Sequence, residues 1–227
     1  VCNSQHNPVK EKEYLEMLAA NQVDGIISSS HNLGIEDYEK VEAPIVAFDR
    51  NLAPHIPIVS SDNFEGGKLA AQLLKKAGCK HPIMITGNDN SNSPTGLRQL
   101  GFTYELGKET PVCRIPRELS TLRREMEIRS IIAKEKPDGI FTSDDLTAIQ
   151  VIKVAQQMGK QIPENLKLVG YDGTDFIEQY YPQLTTIKQP IEDLASLIVD
   201  VLIKKIAKEE TSRDYILPIS YSSGNTI

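Results

Sequence analysis

The sequence predicts an α/β protein made of two Rossmann-like lobes with parallel sheets. Short apolar runs alternate with segments of helical periodicity along all 227 residues. Strand–helix alternation of this kind implies parallel strands joined by right-handed crossovers. A chain of this length can bury one substantial core or two smaller ones.

Apolar runs of four or five residues predict the strands, and apolar residues at helical spacing predict the helices. Gly78 and Gly159 follow two of the periodic segments and are typical helix terminators. The predicted helices cover residues 10–21, 65–77, 145–158 and 191–208. The predicted strands are Gly25–Ser28, Pro44–Phe48, Ile56–Ser60, Pro82–Thr86, Val112–Ile115, Gly139–Thr142, Leu166–Gly170 and Leu184–Ile187.

An internal echo supports the division into two lobes. Val23–Ser28 reads Val-Asp-Gly-Ile-Ile-Ser, and Pro137–Thr142 reads Pro-Asp-Gly-Ile-Phe-Thr. An Asp-Gly turn before a strand is common by itself. Further along each half, however, a strand ends in an aromatic-acid pair, Phe48-Asp49 and Tyr171-Asp172. Together the two echoes favour a pair of similar lobes.

Composition narrows the class of protein. No apolar run approaches the ~20 residues that cross a bilayer, so we expect no membrane partner. Three widely spaced cysteines without CxxC spacing argue against a disulfide framework and a zinc site, and they fit a reducing cytoplasm. The net charge is −6, and the lysines and arginines read as solvated helix faces. This chain is therefore not expected to bind nucleic acid itself.

Polar residues at predicted strand ends suggest a ligand site. In open parallel sheets, ligands collect beyond the carboxyl ends of the strands. The acids Asp49, Asp144 and Asp172 are placed there, as is the amide of Gln189. Acids that accept two hydroxyl protons, beside planar donors such as Arg98, suit a polyhydroxylated small molecule.

Each candidate also has a plainer interpretation. Phe48 and Tyr171 could stack on a sugar face or belong to the core. Asp49 could pair with Arg50 on the surface. Asp145 fits best as the cap of the following helix, where an acid accepts from free N–H groups.

Four sequence motifs carry a family resemblance, and in chain order they are Arg98-Gln-Leu-Gly101-Phe102, Asp144-Asp145-Leu-Thr-Ala148, Leu168-Val-Gly-Tyr-Asp172-Gly and Leu184-Thr-Thr-Ile-Lys-Gln189-Pro190. Together they resemble motifs in the effector domain of lactose-repressor-type (LacI/GalR) transcription regulators. The resemblance implies the type I periplasmic-binding-protein-like fold with three crossovers between lobes. It divides the chain into an N-terminal lobe, residues 1–60 plus 191–217, and a C-terminal lobe, residues 61–190 plus 218–227.

The resemblance also implies roles for particular residues. Arg98 matches the arginine that binds sugar hydroxyls, and Ser29 stands where a polar residue often faces the ligand. Asp144 replaces an amide of the family, which exchanges mixed donor and acceptor chemistry for acceptor chemistry alone. The polar loop Asn88–Ser93 precedes the Arg98 motif and could supply donors to a phosphate.

On this resemblance the ligand is a sugar or sugar phosphate in the cleft between the lobes, and no cofactor or metal is needed. A homodimer in the cytoplasm is expected to bind operator DNA through an N-terminal helix-turn-helix that these residues do not include. The family's first strand and helix are also not included, and Gly107–Pro111 is shorter than usual. Exposed Ile or Val on the helix at 145–158 would join the dimer interface.

Two other functions stay open from the residues alone. A periplasmic sugar-binding protein would share the fold. An enzyme could use the strand-end acids for general acid–base chemistry. Against the enzyme, the sequence contains no GxSxG, P-loop, GxGxxG or metal-spaced histidine cluster, and we expect no catalytic residues.

Overall fold

A computed structural model describes residues 1–5, 7–20, 23–30, 36–87 and 93–227. Helices alternate with strands along most of this chain. In order, the elements are α1 (Pro8–Ala20), β1 (Ile26–Ser28), a 3-10 helix (Glu36–Lys40), β2 (Ile45–Phe48), β3 (Ile58–Ser61), α2 (Asn63–Lys76), β4 (Pro82–Thr86), α3 (Pro94–Leu106), β5 (Val112–Arg114), α4 (Thr121–Glu135), β6 (Gly139–Thr142), α5 (Asp145–Gln157), β7 (Lys167–Asp172), α6 (Asp175–Tyr180), β8 (Thr186–Lys188), α7 (Ile191–Ile206), β9 (Asp214–Leu217) and β10 (Ser220–Ser222).

These elements form two units, each with its own sheet. The first unit contains Val1–Ser61 and Pro190–Leu217, and the second contains Asp62–Gln189 and Pro218–Ile227. The chain therefore passes from one unit to the other after Ser61, Gln189 and Leu217.

The sheet of the first unit has the order β1-β2-β3-β9 in the described residues, and its strands are parallel. Neighbouring residues of a strand point to opposite faces. Val46 of β2 therefore packs with Ile198 and other apolar residues of α7, while Ile45 packs on the opposite face with Leu15 of α1. The unit buries apolar side chains on both faces of the sheet.

The sheet of the second unit has the order β10-β8-β7-β6-β4-β5, with only the β10–β8 pair antiparallel. The central strands are apolar throughout because helices cover both faces. In β4, Ile83 and Ile85 pack towards α4 and α5, and Met84 packs towards α2 and α3. The carboxyl ends of β4, β6, β7 and β8 consequently lie along one edge.

Helices α2 and α3 approach each other at backbone distance. A Cβ atom on Gly67 would overlap the carbonyl oxygen of Arg98, and one on Gly101 would overlap the carbonyl oxygen of Phe64. Only glycine, which has no Cβ atom, allows the two helices to come this close. Their close contact brings the first half of α3 near the sheet. The Ser93 hydroxyl begins α3 by accepting the Gly96 N–H at 3.0 Å.

The predicted α/β class with parallel sheets is confirmed. Strands β9 and β10 were missed because their side chains are only partly buried and form no continuous apolar run. The expectation of exposed Ile or Val on the helix at 145–158 is wrong, because Ile149 and Ile152 are partly buried against the core of the second unit. In α5 both Val151 and Val154 are fully buried in the core of the second unit.

Two structural features are absent from the described residues, a membrane-spanning helix and a metal-binding cluster. None of the helices there combines the length and apolar character needed to cross a bilayer. The same residues contain no group of three or more His, Cys, Asp or Glu side chains that could hold a metal ion. Cys2, Cys79 and Cys113 are free thiols.

The helix crossing predicts a large effect of one methyl group. Gly67→Ala should lower the free energy of unfolding by roughly 1–3 kcal/mol because the added carbon overpacks the α2–α3 contact. This cost exceeds the gain of about 0.5–1 kcal/mol that alanine normally brings to a helix. Urea unfolding is the measurement, and exposed Lys76→Ala at the end of α2 is the control. Equal or higher stability of Gly67→Ala would contradict the backbone contact.

Candidate functional site

Half of the sequence-predicted ligand residues gather at the carboxyl edge of the second unit's sheet. Asp144 follows β6, Asp172 is the last residue of β7, and Gln189 follows β8. These strands are sequential neighbours in the sheet, so their ends lie side by side. Arg98 reaches the same edge from the second turn of α3. The structure thereby brings together four of the eight predicted ligand residues.

Arg98 is held on several sides. Its Nε donates to Asn63 Oδ1 at 2.8 Å, and its Nη1 donates to the Ser143 carbonyl at 2.6 Å. Nη1 also lies 3.6 Å from Asp172 Oδ1. The guanidinium carbon sits 3.7 Å from the centroid of the Tyr171 ring, within cation–π distance. A side chain that is only 6% exposed is thus fixed before any ligand arrives.

Tyr171 belongs to the core rather than to an open surface. The residue has no exposed area, packs near Phe141 and Phe102, and is covered on one face by Arg98. Its hydroxyl lies 3.4 Å from Asn63 Oδ1. Of the two interpretations offered for Tyr171, the buried one describes this structure, and stacking on a sugar does not. The ring supports the guanidinium instead.

Asp172 and Gln189 are joined twice. Gln189 Nε2 donates to Asp172 Oδ1 at 2.8 Å, and the Gln189 backbone N–H donates to the Asp172 carbonyl at 3.0 Å. Asp172 has a φ of 122°, a conformation that non-glycine residues rarely adopt and that costs of order 1–3 kcal/mol. Its side chain is one-third exposed, which gives solvent access to the carboxylate.

Asp144, not Asp145, caps helix α5. Asp144 Oδ1 accepts the Thr147 N–H at 2.8 Å, and Oδ2 accepts the Thr147 hydroxyl at 2.9 Å. The expectation that Asp145 provides the cap is therefore wrong. Both acids suit a helix start by type, and only the direction of each side chain separates them. Contact between Asp144 and a ligand stays a prediction.

Asp145 is a buried carboxylate that points away from solvent. Its Oδ2 accepts the Gly173 N–H at 2.8 Å, and its Oδ1 accepts the Thr186 hydroxyl at 2.6 Å. Burial raises the pKa of Asp145 to about 7, although both hydrogen bonds lower it. The negative charges of Asp172 and Asp144 add to the increase in this pKa.

Sequence reasoning missed one residue of the site, Asn63. It is 2% exposed and accepts from Arg98 and Tyr171, which stand 35 and 108 positions away in the sequence. The only available signal was an amide at the first turn of α2, directly after the Ser60–Asp62 polar run. That signal is weak because amides are common at helix starts.

The other predicted residues lie in the first unit. Ser29 is exposed directly after β1, and Phe48 is half-buried at the end of β2 against the α7 core. Asp49 follows with a φ of 62° and donates its backbone N–H to the Val59 carbonyl at 2.9 Å. All three stand at carboxyl ends of parallel strands. Their contact with a ligand stays a prediction.

Residues 88–92 of the predicted phosphate-donor loop lie outside the described residues. Next to them, Thr86 ends β4 with a buried hydroxyl. Within the described residues, this Oγ1 is the buried side-chain polar atom that lacks a hydrogen-bond partner. A buried hydroxyl left unpaired costs free energy, so an added polar group at this edge would find a partner there.

The cap on α5 can be tested by stability. Asp144→Ala should lower the free energy of unfolding by about 1 kcal/mol because the Thr147 N–H loses its acceptor. Asp144→Asn should cost only a few tenths, since asparagine caps helices as well as aspartate does. Urea unfolding of the three proteins checks this. Equal losses in both variants would show that the charge, and not the cap, is what matters.

The raised pKa of Asp145 predicts a pH dependence of stability. The folded state binds this proton up to about pH 7, whereas the unfolded chain releases it near the ordinary aspartate pKa of 3.8. The stabilising contribution is therefore complete below the unfolded pKa and is lost as pH rises through the folded pKa. The free energy of unfolding of Asp145→Asn, minus that of the original protein, should increase between about pH 4 and 7, the interval between the two pKa values. A constant difference in urea unfolding across that range would contradict the shift.

Comparisons with known proteins place this geometry in a family. A family model of the periplasmic binding protein-like domain matches residues 71–225. A sucrose operon repressor of Streptococcus mutans serotype c is 66% identical over 227 residues, which cover 100% of this chain and 71% of the repressor. A sucrose operon repressor of Lactococcus lactis subsp. lactis is 49% identical over 99% of this chain and 70% of its own length.

Solved structures agree. A periplasmic binding protein/LacI transcriptional regulator from Alkaliphilus metalliredigens, complexed with D-xylulofuranose, has a TM-score of 0.86 and 33% identity, and the match covers 100% of this chain and 86% of that one. A LacI family regulator from Enterococcus faecalis with bound ribose has a TM-score of 0.84 and 26% identity over 99% of this chain and 86% of that one.

These relatives are named repressors and transcription regulators, which disfavours a periplasmic transport protein and excludes an enzyme. The matched region contains the Arg98 and Asp172 edge described above. The chain therefore belongs to the LacI family of transcription regulators, as a ligand-sensing effector domain with the periplasmic binding protein-like fold.

Proposed function

We propose that this domain senses a neutral sugar that carries a ketofuranose ring, such as fructose or sucrose, and thereby controls repression of a sugar-utilisation operon. The observation that carries the proposal is the fixed Arg98 guanidinium beside the Asp172–Gln189 pair at the carboxyl edge of the sheet. That edge is where ligands of parallel sheets collect.

The groups at this edge match vicinal hydroxyls. Arg98 is a planar donor, the Asp172 carboxylate is an acceptor, and the Gln189 amide offers both. Because Asn63, Ser143 and Tyr171 already hold the guanidinium, little ordering free energy is lost on binding. The unpartnered Thr86 hydroxyl adds one more group at the same edge.

Charge favours a neutral ligand over a phosphate. Arg98 is already close to the Asp172 carboxylate and donates to the Ser143 carbonyl, so part of its capacity is spent. Asp144 and Asp145 add acidic groups within reach of Asp172. A phosphate dianion near these carboxylates would be repelled unless further cations approached.

The choice of a ketofuranose ring rests on the relatives. The two sucrose operon repressors are 66% and 49% identical to this chain, and sucrose contains a fructofuranosyl ring. D-xylulofuranose, bound in the structure at 33% identity, is also a ketose in five-membered form. Ribose, bound in a structure at 26% identity, is the second candidate and belongs in the same test.

The wider setting is also a proposal. Repressors act on DNA, and this chain spans 71% of the Streptococcus mutans repressor. We propose that a homodimer works in the cytoplasm and that a helix-turn-helix outside these 227 residues binds the operator. Ser29, Phe48 and Asp49 are proposed to supply ligand contacts from the first unit, beside Arg98, Asp144, Asp172 and Gln189 from the second.

A thermal-shift panel tests the ligand. The panel contains sucrose, fructose, xylulose, ribose, sucrose 6-phosphate and fructose 6-phosphate. At a hundred times its dissociation constant, a true ligand should stabilise the protein by roughly 2.7 kcal/mol. We expect this from a neutral ketose-containing sugar and not from the phosphates. A response to phosphates alone would overturn the neutral class, and no response at all would overturn the proposal.

Asp172→Ala should abolish that stabilisation because the sugar loses its carboxylate acceptor and Gln189 loses its partner. The unliganded variant should remain folded by circular dichroism, since Asp172 is at the strand end and partly exposed. Asp200→Ala, an exposed change on α7, is the matched control and should keep the full shift. A full shift in Asp172→Ala would remove Asp172 from the site.

A further inference from the structure

We infer that Asp145 is a positioning residue of the sugar site: its buried side chain holds the Asp172–Gly173 turn against strand β8, so that Asp172 and Gln189 stay aligned for the ligand. The inference rests on the proposed function and deepens it. Neither the motif resemblance nor the relatives assign this role to Asp145.

The side chain joins three elements that follow one another around the site. Asp145 is the first residue of α5, and its Oδ2 accepts the N–H of Gly173, immediately after β7. Its Oδ1 accepts the hydroxyl of Thr186, the first residue of β8. Loss of the carboxylate would leave the Gly173 N–H without this acceptor and the Thr186 hydroxyl with only the longer contact to the Ile187 carbonyl, at 3.4 Å.

The surroundings fix the position of this carboxylate. A Cβ on Gly170 would overlap Asp145 Oδ1, so the glycine of β7 makes the room that the oxygen occupies. On the far side of the turn, a Cβ on Gly173 would lie 2.8 Å from Lys188 Cα. The turn is therefore closely packed between the Asp145 side chain on one side and β8 on the other.

Asp145 acts through its neighbours and not by touching the ligand. It is only 2% exposed, and both of its oxygens already accept hydrogen bonds. The residues it holds are each close to a ligand group: Gly173 follows Asp172, and Thr186 lies three positions before Gln189. Asp172 and Gln189 then bond each other at 2.8 Å. A shift of the turn would break that alignment.

The hydrogen-bond pattern survives a change of charge. When ionised, Asp145 accepts from both partners. When protonated, its hydroxyl donates to Thr186 Oγ1, the Thr186 proton turns to the Ile187 carbonyl 3.4 Å away, and Gly173 keeps its acceptor. An asparagine reproduces the protonated arrangement, with Nδ2 donating to Thr186 and Oδ1 accepting from Gly173.

Several charged groups lie on the elements that neighbour Asp145. Asp144 precedes it, Asp172 faces it from β7, and Arg98 lies 3.6 Å from the Asp172 carboxylate. Lys188 of β8 is paired with Glu178 at 2.5 Å. Burial and the two acids raise the pKa of Asp145 to about 7, which makes its proton visible to titration near neutrality.

The test compares three variants of the 227-residue protein, with sucrose and fructose as separate probes in calorimetry. Asp145→Ala should bind the responding sugar about tenfold more weakly or worse, because two buried donors lose their acceptor. Asp145→Asn should stay within about threefold of the original affinity, since it restores both hydrogen bonds. Asp138→Asn is the control. Asp138 also accepts two backbone N–H groups, from Lys80 and His81, but at the opposite end of β6.

A second readout needs no ligand. The Gly173 amide ¹H–¹⁵N signal should titrate with a midpoint near neutrality in the original protein and in Asp138→Asn, because its acceptor gains a proton. The titration should be absent in Asp145→Asn. If Asp145→Ala does not fold, the Asn variant and the amide titration still decide the matter.

Three results would overturn the inference: original affinity in Asp145→Ala, equal loss in the Asn and Ala variants, or a Gly173 amide that does not titrate. Failure of the original protein to bind either sugar would count against the proposed function instead. In that case the amide titration alone would still decide whether Asp145 holds the turn.

Discussion

The burial of one cation organises the second unit. Burial of a guanidinium away from water lowers the stability of the fold unless the charge is paired and hydrogen-bonded. Arg98 meets this need with an amide oxygen, a backbone carbonyl, an aromatic face and a nearby carboxylate. The glycines at the α2–α3 crossing allow the helix that carries Arg98 to come close enough for these contacts. The preorganised donor at the strand edge is thus a consequence of helix packing.

Two consecutive acids show how backbone direction assigns different work to one residue type. Asp144 directly precedes helix α5, and Asp145 is the first residue of that helix. The Asp144 side chain caps the helix, whereas the Asp145 side chain accepts from the Gly173 N–H after β7 and from Thr186 of β8. The first remains half-buried and stabilises its own helix. The second is desolvated and connects three elements of the site. Burial raises the pKa of Asp145 to about 7, so its protonation changes near neutral pH.

The sequence was sufficient for the α/β class, the family and the main strands, because strands such as Pro82–Thr86 and Gly139–Thr142 are apolar and buried on both faces. It was insufficient for β9, whose residues alternate between exposed and half-buried, and for the polar β10. The roles of Asp145 and Tyr171 could not be assigned, because their partners Thr186 and Asn63 are 41 and 108 positions distant. Motif spacing places a residue at a strand end, but long-range packing decides which way its side chain points.

The partners of the Arg98–Asp172 pair lie next to two points where the chain passes between the units. Asn63, which accepts a hydrogen bond from Arg98, is the second residue of this unit and follows Asp62. Gln189, which donates a hydrogen bond to Asp172, is the last residue before the chain leaves this unit at Pro190. A molecule that broke either of these side-chain hydrogen bonds would therefore act on a residue next to a point where the chain passes between the units.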